Sequence, residues 1–169
     1  GTLLVTINSG FALDLAGNSN SSAVSDTTTV DPAGPTATIT PRSTNFKTST
    51  LAVDIVFNRA VYGFTAADLT FTTNTAVCTV SSLTGSGDTY VANLSCTSQG
   101  TAILKLLANS VKDKASVVGP ALDTTVSVTR DTTAPTATWT SPTGPLNINN
   151  PVFTLTASEA ISALSASNF

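Results

Sequence analysis

One stretch of this chain occurs twice. Asp31-Pro-Ala-Gly-Pro-Thr-Ala-Thr-Ile-Thr40 returns 100 residues later as Asp131-Thr-Thr-Ala-Pro-Thr-Ala-Thr-Trp-Thr140. The same spacing carries Arg59-Ala60-Val61 onto Glu159-Ala160-Ile161, and Phe64, Asp68 and Leu69 onto Leu164, Asn168 and Phe169. Towards the N-terminus the offset is 99, taking Gly1-Thr2 onto Gly100-Thr101 and Asp14 onto Asp113. A period this long is a whole small domain rather than one turn of a solenoid. The 169 residues therefore divide into the tail of one repeat at 1–30, a complete repeat at 31–130 and the head of another at 131–169. The chain is expected to be a window on a longer tandem array. About 100 residues suffice to bury one sandwich core.

Composition narrows what such a repeat can be. Charged residues make up only 10% of the chain, and Thr, Ser, Ala and Val dominate. Thr and Val favour strands, and the Gly and Pro fall between short apolar runs. No apolar run approaches the ~20 residues a membrane-spanning helix needs, so no span is expected. A net charge of −3 argues against nucleic acid as a partner, since phosphate recognition needs a basic surface. Histidine is absent, which removes every His-based triad, zinc site and proton shuttle. No Gly-rich phosphate loop precedes a helix. The segment is therefore not expected to be an enzyme.

Alternation supplies the strands. Leu3, Val5 and Ile7 lie on one face of a strand, and a second runs from Thr27 to Val30 before Pro32 and Pro35 break it. Thr36–Thr40 opens the complete repeat. Val53, Ile55 and Phe57 alternate with Asp54, Val56 and Asn58, as on a strand with one buried face. Thr65 opens a single helical turn, and Leu69–Phe71 resumes the extended pattern. Residues 77–83 and 89–96 form a hairpin around Thr84-Gly-Ser-Gly-Asp88, where Gly supplies the positive φ of a tight reversal. Residues 101–107 and 123–129 complete the set. About seven strands per repeat predict an all-β, Ig-like antiparallel sandwich.

Two constellations stand out. Folding the hairpin about Ser86 and Gly87 sets Cys78 opposite Cys96, the only two cysteines. Opposed residues of a non-hydrogen-bonded antiparallel pair lie about 4.5 Å apart at Cα, within bridging reach. The alternative is a pair of buried free thiols. A bridge would place the protein in an oxidising compartment. It would not link the two sheets, because it staples strands joined by one turn.

The second constellation is acidic. Asp14-Leu-Ala-Gly-Asn18 sets a carboxylate and an amide oxygen around a Gly turn, Asp31 and Asp131 lie at the repeat junctions, and Asp113 repeats Asp14 without the Gly-Asn. Oxygen ligands with a turn Gly suit Ca²⁺, which takes six to eight oxygens. The other reading makes the same residues Asx turn caps. Trp139 stands where Ile39 stood, and core or interdomain packing is its expected role.

These residues resemble a known family. Ile55-Val-Phe-Asn-Arg-Ala-Val-Tyr-Gly-Phe-Thr-Ala-Ala-Asp-Leu69 is similar to the F-S-E-x-V-x-G-F-x-x-x-D-F/L stretch of bacterial Ig-like repeats. Val80-Ser-Ser-Leu-Thr-Gly-Ser-Gly-Asp-Thr-Tyr90 resembles the family's hairpin, and Asp14-Leu-Ala-Gly-Asn18 and Asp131-Thr-Thr-Ala-Pro135 its end and junction motifs. The resemblance implies tandem β-sandwiches in large bacterial surface or secreted proteins, often adhesins, some with Ca²⁺ at the junctions. Asp14, Asn18, Asp31, Asp113 and Asp131 would inherit that role. Cys78 and Cys96 depart from the usual cysteine-free repeat and suggest export through an oxidising periplasm. The expected function is a structural module in the stalk of an exported adhesin or surface fibre. A filament subunit completed by strand exchange, or a glycan- or protein-binding module, are the alternatives. Expected partners are neighbouring repeats in the same or an adjacent chain, and a host-surface or glycan ligand.

Overall fold

The computed structural model describes residues 1–169 except 73, 74, 148, 166, 168 and 169. Asn168 and Phe169, the counterparts of Asp68 and Leu69, thus lie outside the described residues. The chain opens with an antiparallel hairpin, β1 (Thr2–Ile7) and β2 (Val24–Thr29). The sandwich follows: β3 (Ala37–Pro41), β4 (Asn45–Phe46), β5 (Thr50–Phe57), a 3₁₀ turn at Ala66–Asp68, β6 (Leu69–Thr72), β7 (Cys78–Ser86) and β8 (Thr89–Cys96). It continues through β9 (Gly100–Leu106), the short β10 (Val111–Lys112) and β11 (Val118–Gly119), and β12 (Thr124–Arg130). A last antiparallel hairpin joins β13 (Ala137–Thr140) to β14 (Thr154–Ala157).

Two four-stranded sheets make the sandwich, ordered β3-β5-β8-β7 and β4-β12-β9-β6. Alternation decides which residues lie between them. On β5, Leu51, Val53, Ile55 and Phe57 are buried; on β8, Tyr90, Ala92, Leu94 and Cys96. Ala102, Leu104 and Leu106 of β9 and Val128 of β12 answer from the other sheet. Each large aliphatic side chain buried this way contributes roughly 1.5–3 kcal/mol. Phe57, Phe64 and Tyr90 meet edge to face at centroid distances of 4.9–6.0 Å, the arrangement that ring quadrupoles favour. Pro41 ends β3 at a sheet edge, where its missing N–H leaves no ladder bond unmade. The expected helical turn is the 3₁₀ turn: the Asp68 carboxylate accepts from the Thr65 N–H at 2.7 Å and from its hydroxyl at 2.9 Å.

The internal repetition extends to strand register. Ile39 faces Ile55 across β3–β5, and Trp139 faces Leu155 across β13–β14. All four β13–β14 pairs match β3–β5 pairs at an offset of 100. Thr2 faces Thr29 across β1–β2, as Thr101 faces Thr129 across β9–β12. Leu3, Val5 and Ile7 share a face as the alternation predicts, but all three are exposed. Trp139, expected in a packed interior, is 54% exposed. Each end hairpin is a two-stranded sheet, and among the described residues no second sheet covers it.

Candidate functional site: the repeat junctions and the hairpin disulfide

The Asp14 loop is held by its own acid. Asp14 Oδ1 accepts from the Ala16 and Asn18 main-chain N–H groups at 2.9 and 2.8 Å, and Oδ2 accepts from the Asn18 side-chain amide at 2.9 Å. Gly17 takes φ 87°, so the chain reverses without a Cβ penalty. The Asn18 amide bond, followed by the main-chain donors, holds the Asp14 carboxyl below the usual carboxylate range.

The same loop forms again 99 residues on, without the Gly and the Asn. Asp113 Oδ1 accepts from Ala115 and Val117 N–H, both at 2.9 Å. Ser116 adopts φ 64° where Gly17 stood. The loop is therefore specified by the Asp carboxylate and tolerates the substitution of its turn glycine. The second carboxylate oxygen finds a different partner. Asp113 Oδ2 lies 3.2 Å from Arg59 Nη1, and among the described residues Asp113 is the only buried charged one.

Arg59 collects the first junction. Its Nη2 lies 3.0 Å from Asp31 Oδ2, and its Nη1 also donates to the Ala33 carbonyl at 3.1 Å. Asp31 Oδ1 in turn accepts from the Ala33 N–H at 3.1 Å. That main-chain bond first, and Arg59 second, hold the Asp31 carboxyl below its ordinary value. Asp31 and Asp113, both expected near a junction, are thus brought together, but by a guanidinium. Sequence reasoning missed Arg59; the available signal was a basic residue two positions after β5, where the family stretch carries Glu.

At the second junction Asp131 repeats the local turn, with Oδ1 accepting from Thr133 N–H at 2.9 Å. The preceding sandwich grips this linker. The Asp131 N–H donates to the Phe46 carbonyl, and the Thr132 and Thr133 hydroxyls donate to Gln99 Oε1 at 2.8 and 3.2 Å. Glu159 stands where Arg59 stands in the complete repeat, and with Asp131 and Lys47 it lines an open cavity of about 460 Å³.

The five residues expected to offer oxygen to Ca²⁺ lie in three places: Asp14 with Asn18, Asp31 with Asp113, and Asp131. Among the described residues, no three His, Cys, Asp or Glu side chains gather into a group that could hold a metal ion. The oxygens of Asp14, Asp31 and Asp113 already accept from main-chain N–H groups, an amide and a guanidinium. This donor set does not fit a cation needing six to eight oxygens; it fits turn capping and ion pairing.

The cysteines are joined. Cys78 and Cys96 are directly opposed on β7 and β8 and form a disulfide. The reversal falls one position beyond the expected pivot, with Ser86 facing Thr89 around Gly87 and Asp88. A bulge between Val80 and Ser82 absorbs the difference. Without that extra residue in the strand, the turn's register would set Cys78 against Thr97.

The family model described as a bacterial Ig-like domain matches residues 31–129. No curated protein matches, and no solved structure matches.

Proposed function

Because this chain belongs to the bacterial Ig-like domain family, whose members are generally non-enzymatic binding or structural modules, we propose that it is a load-bearing spacer in the stalk of an exported bacterial adhesin or surface fibre. The observation that carries this reading is the repeated register: β13–β14 copies β3–β5 at an offset of 100, and the Asp-capped turn at Asp31 recurs at Asp131. Repetition of that kind suits sandwiches strung in line. The core resists deformation of each spacer, and the disulfide prevents the β7–β8 hairpin from unzipping. An extracellular or cell-surface location, reached through an oxidising periplasm, agrees with the Cys78–Cys96 bridge. Among the described residues no helix is long and apolar enough to cross a membrane. Asp14, Asn18, Asp31, Asp113 and Asp131 act in this proposal as turn caps and ion-pair partners.

Pulling single molecules of the longer array tests the reading. Near-equal contour increments are expected, and the increment from the sandwich holding Cys78 and Cys96 should lengthen on reduction. The bridge spans 18 residues, so opening it releases about 60 Å of extended chain. A single non-repeating rupture would sink the spacer reading. A second reading, a filament subunit completed by a neighbour's strands, draws on the exposed apolar faces of the end hairpins, where Leu3, Val5 and Trp139 are all more than half exposed. Concentration-dependent polymers would favour it.

A further inference from the structure

Resting on the spacer reading, we propose that Arg59 is the positioning residue of the first junction, a built-in cation that fixes the preceding unit's direction relative to the sandwich. Two segments meet on its guanidinium, the linker through Asp31 Oδ2 at 3.0 Å and the Ala33 carbonyl at 3.1 Å, and the Asp113 loop at 3.2 Å, while Arg59 itself follows the end of β5 by two residues. A planar guanidinium with donors at fixed angles holds two carboxylates in one relative orientation.

Both anchors are held by further bonds. Asp113 is buried, and its other oxygen is committed to Ala115 and Val117. On the other side, Val30 exchanges main-chain bonds with Gly1, its N–H donating at 2.7 Å. Asp31 follows Val30 directly, so a single peptide unit separates the paired end of the first hairpin from the clamped carboxylate. The rest of the linker lies flush on the sandwich. Pro35 is buried, a Cβ at Gly34 would collide with the Val118 carbonyl, and a Cβ at Gly119 would collide with the Pro35 carbonyl. Gly34 and Pro35 thus seat the linker against the β11 end of the sandwich directly after the Arg59 contacts.

The contact is also specific to this junction. The corresponding residue 100 positions later is Glu159, whose charge is opposite. It cannot make this contact with Asp131, so the two junctions are set by different chemistry. At the first junction the joint angle is then written at Arg59, and it needs no dissolved ion.

Spin labels at Thr27→Cys on β2 and Ser127→Cys on β12 read the angle as a distance distribution, measured on the full chain with its native disulfide intact. One narrow distribution is expected, unchanged between millimolar calcium and a chelator. Arg59→Ala should at least double its width in a sandwich that is still folded at the measuring temperature, although its melting temperature falls because the buried Asp113 carboxylate loses its cation. Arg59→Lys, which keeps the charge but loses the fork, should fall between. Should Arg59→Ala unfold the sandwich, Asp31→Ala decides, because it cuts only the linker side and leaves the Arg59–Asp113 pair whole. A width unchanged in Asp31→Ala, or in a folded Arg59→Ala, overturns the proposal. So does a native distribution that narrows only with calcium. Even contour increments in pulling, together with unchanged widths here, would retain the spacer and discard the clamp.

Discussion

Single carboxylates do much of the local work in this molecule, and their chemistry predicts its response to acid. Asp54 is held below the ordinary carboxylate value of about 3.9 chiefly by its bond from Arg42, 2.9 Å away. Asp123 is lowered first by the Ala108 N–H and then by Lys105, and Asp14 and Asp31 shift the same way. A group whose folded pKa is depressed adds stability above its unfolded pKa and loses it as pH falls through the folded value. These groups are solvent-exposed, so each effect is small and screened, but all four share a sign. The urea midpoint should stay level from pH 7 down to about pH 4 and decline below it. A midpoint that rises below pH 4 would contradict these assignments. At this scale the sequence was half legible. Asp14 and Asp113 were visible as a repeated acid at a turn, whereas their choice between capping and metal binding depends on where the second oxygen points.

At the scale of elements, the β7–β8 hairpin shows how pattern and geometry combine. Cys78, Val80 and Leu83 all pack against the core. Residues 80 and 83 are an odd number apart, so a regular strand would send them to opposite faces. The bulge at Ser81 returns Leu83 to the inner face and brings Cys78 opposite Cys96. The broken alternation was the readable signal of that bulge. The disulfide closes a loop of 18 residues, and the chain-entropy model gives it about 3 kcal/mol. Reduction, or Cys78→Ala with Cys96→Ala, should therefore lower the unfolding free energy by about 3 kcal/mol; urea titrations with and without reductant measure it. A loss under about 0.5 kcal/mol would mean that the hairpin's register is already held by its ladder and core face. The seven strands of four or more residues between β3 and β12 correspond to those read from alternation. β4, β10 and β11, each of two residues, are too short to show a period and form only where a neighbour offers its edge.

At the scale of the whole molecule, both linkers flanking the sandwich are bonded to it. The first linker is laid on the following sandwich through Arg59, Gly34 and Gly119, and the second is tied to the preceding sandwich through Phe46 and Gln99. Since the junction acids are engaged with protein groups, the melting temperature should be the same, within about a degree, in millimolar calcium and in excess chelator. A calcium-dependent rise would instead mean that a cation binds the folded state alone and that Asp14, Asp31 or Asp131 had given up its present partners.

The amino-acid sequence by itself carried the repetition at an offset of about 100 residues, the strand-rich class and the pairing of Cys78 with Cys96. Each of these follows from short-range rules: alternation along a strand, turn glycines and prolines, and identity at a fixed offset. Tertiary structure alone decided which charges meet. Arg59 lies 28 residues from Asp31 and 54 from Asp113, and no local pattern links the three. The sandwich topology brings the turn after β5 beside the β10–β11 loop and the incoming linker. A guanidinium placed there takes both carboxylates, because a partly buried charge is stable only when paired.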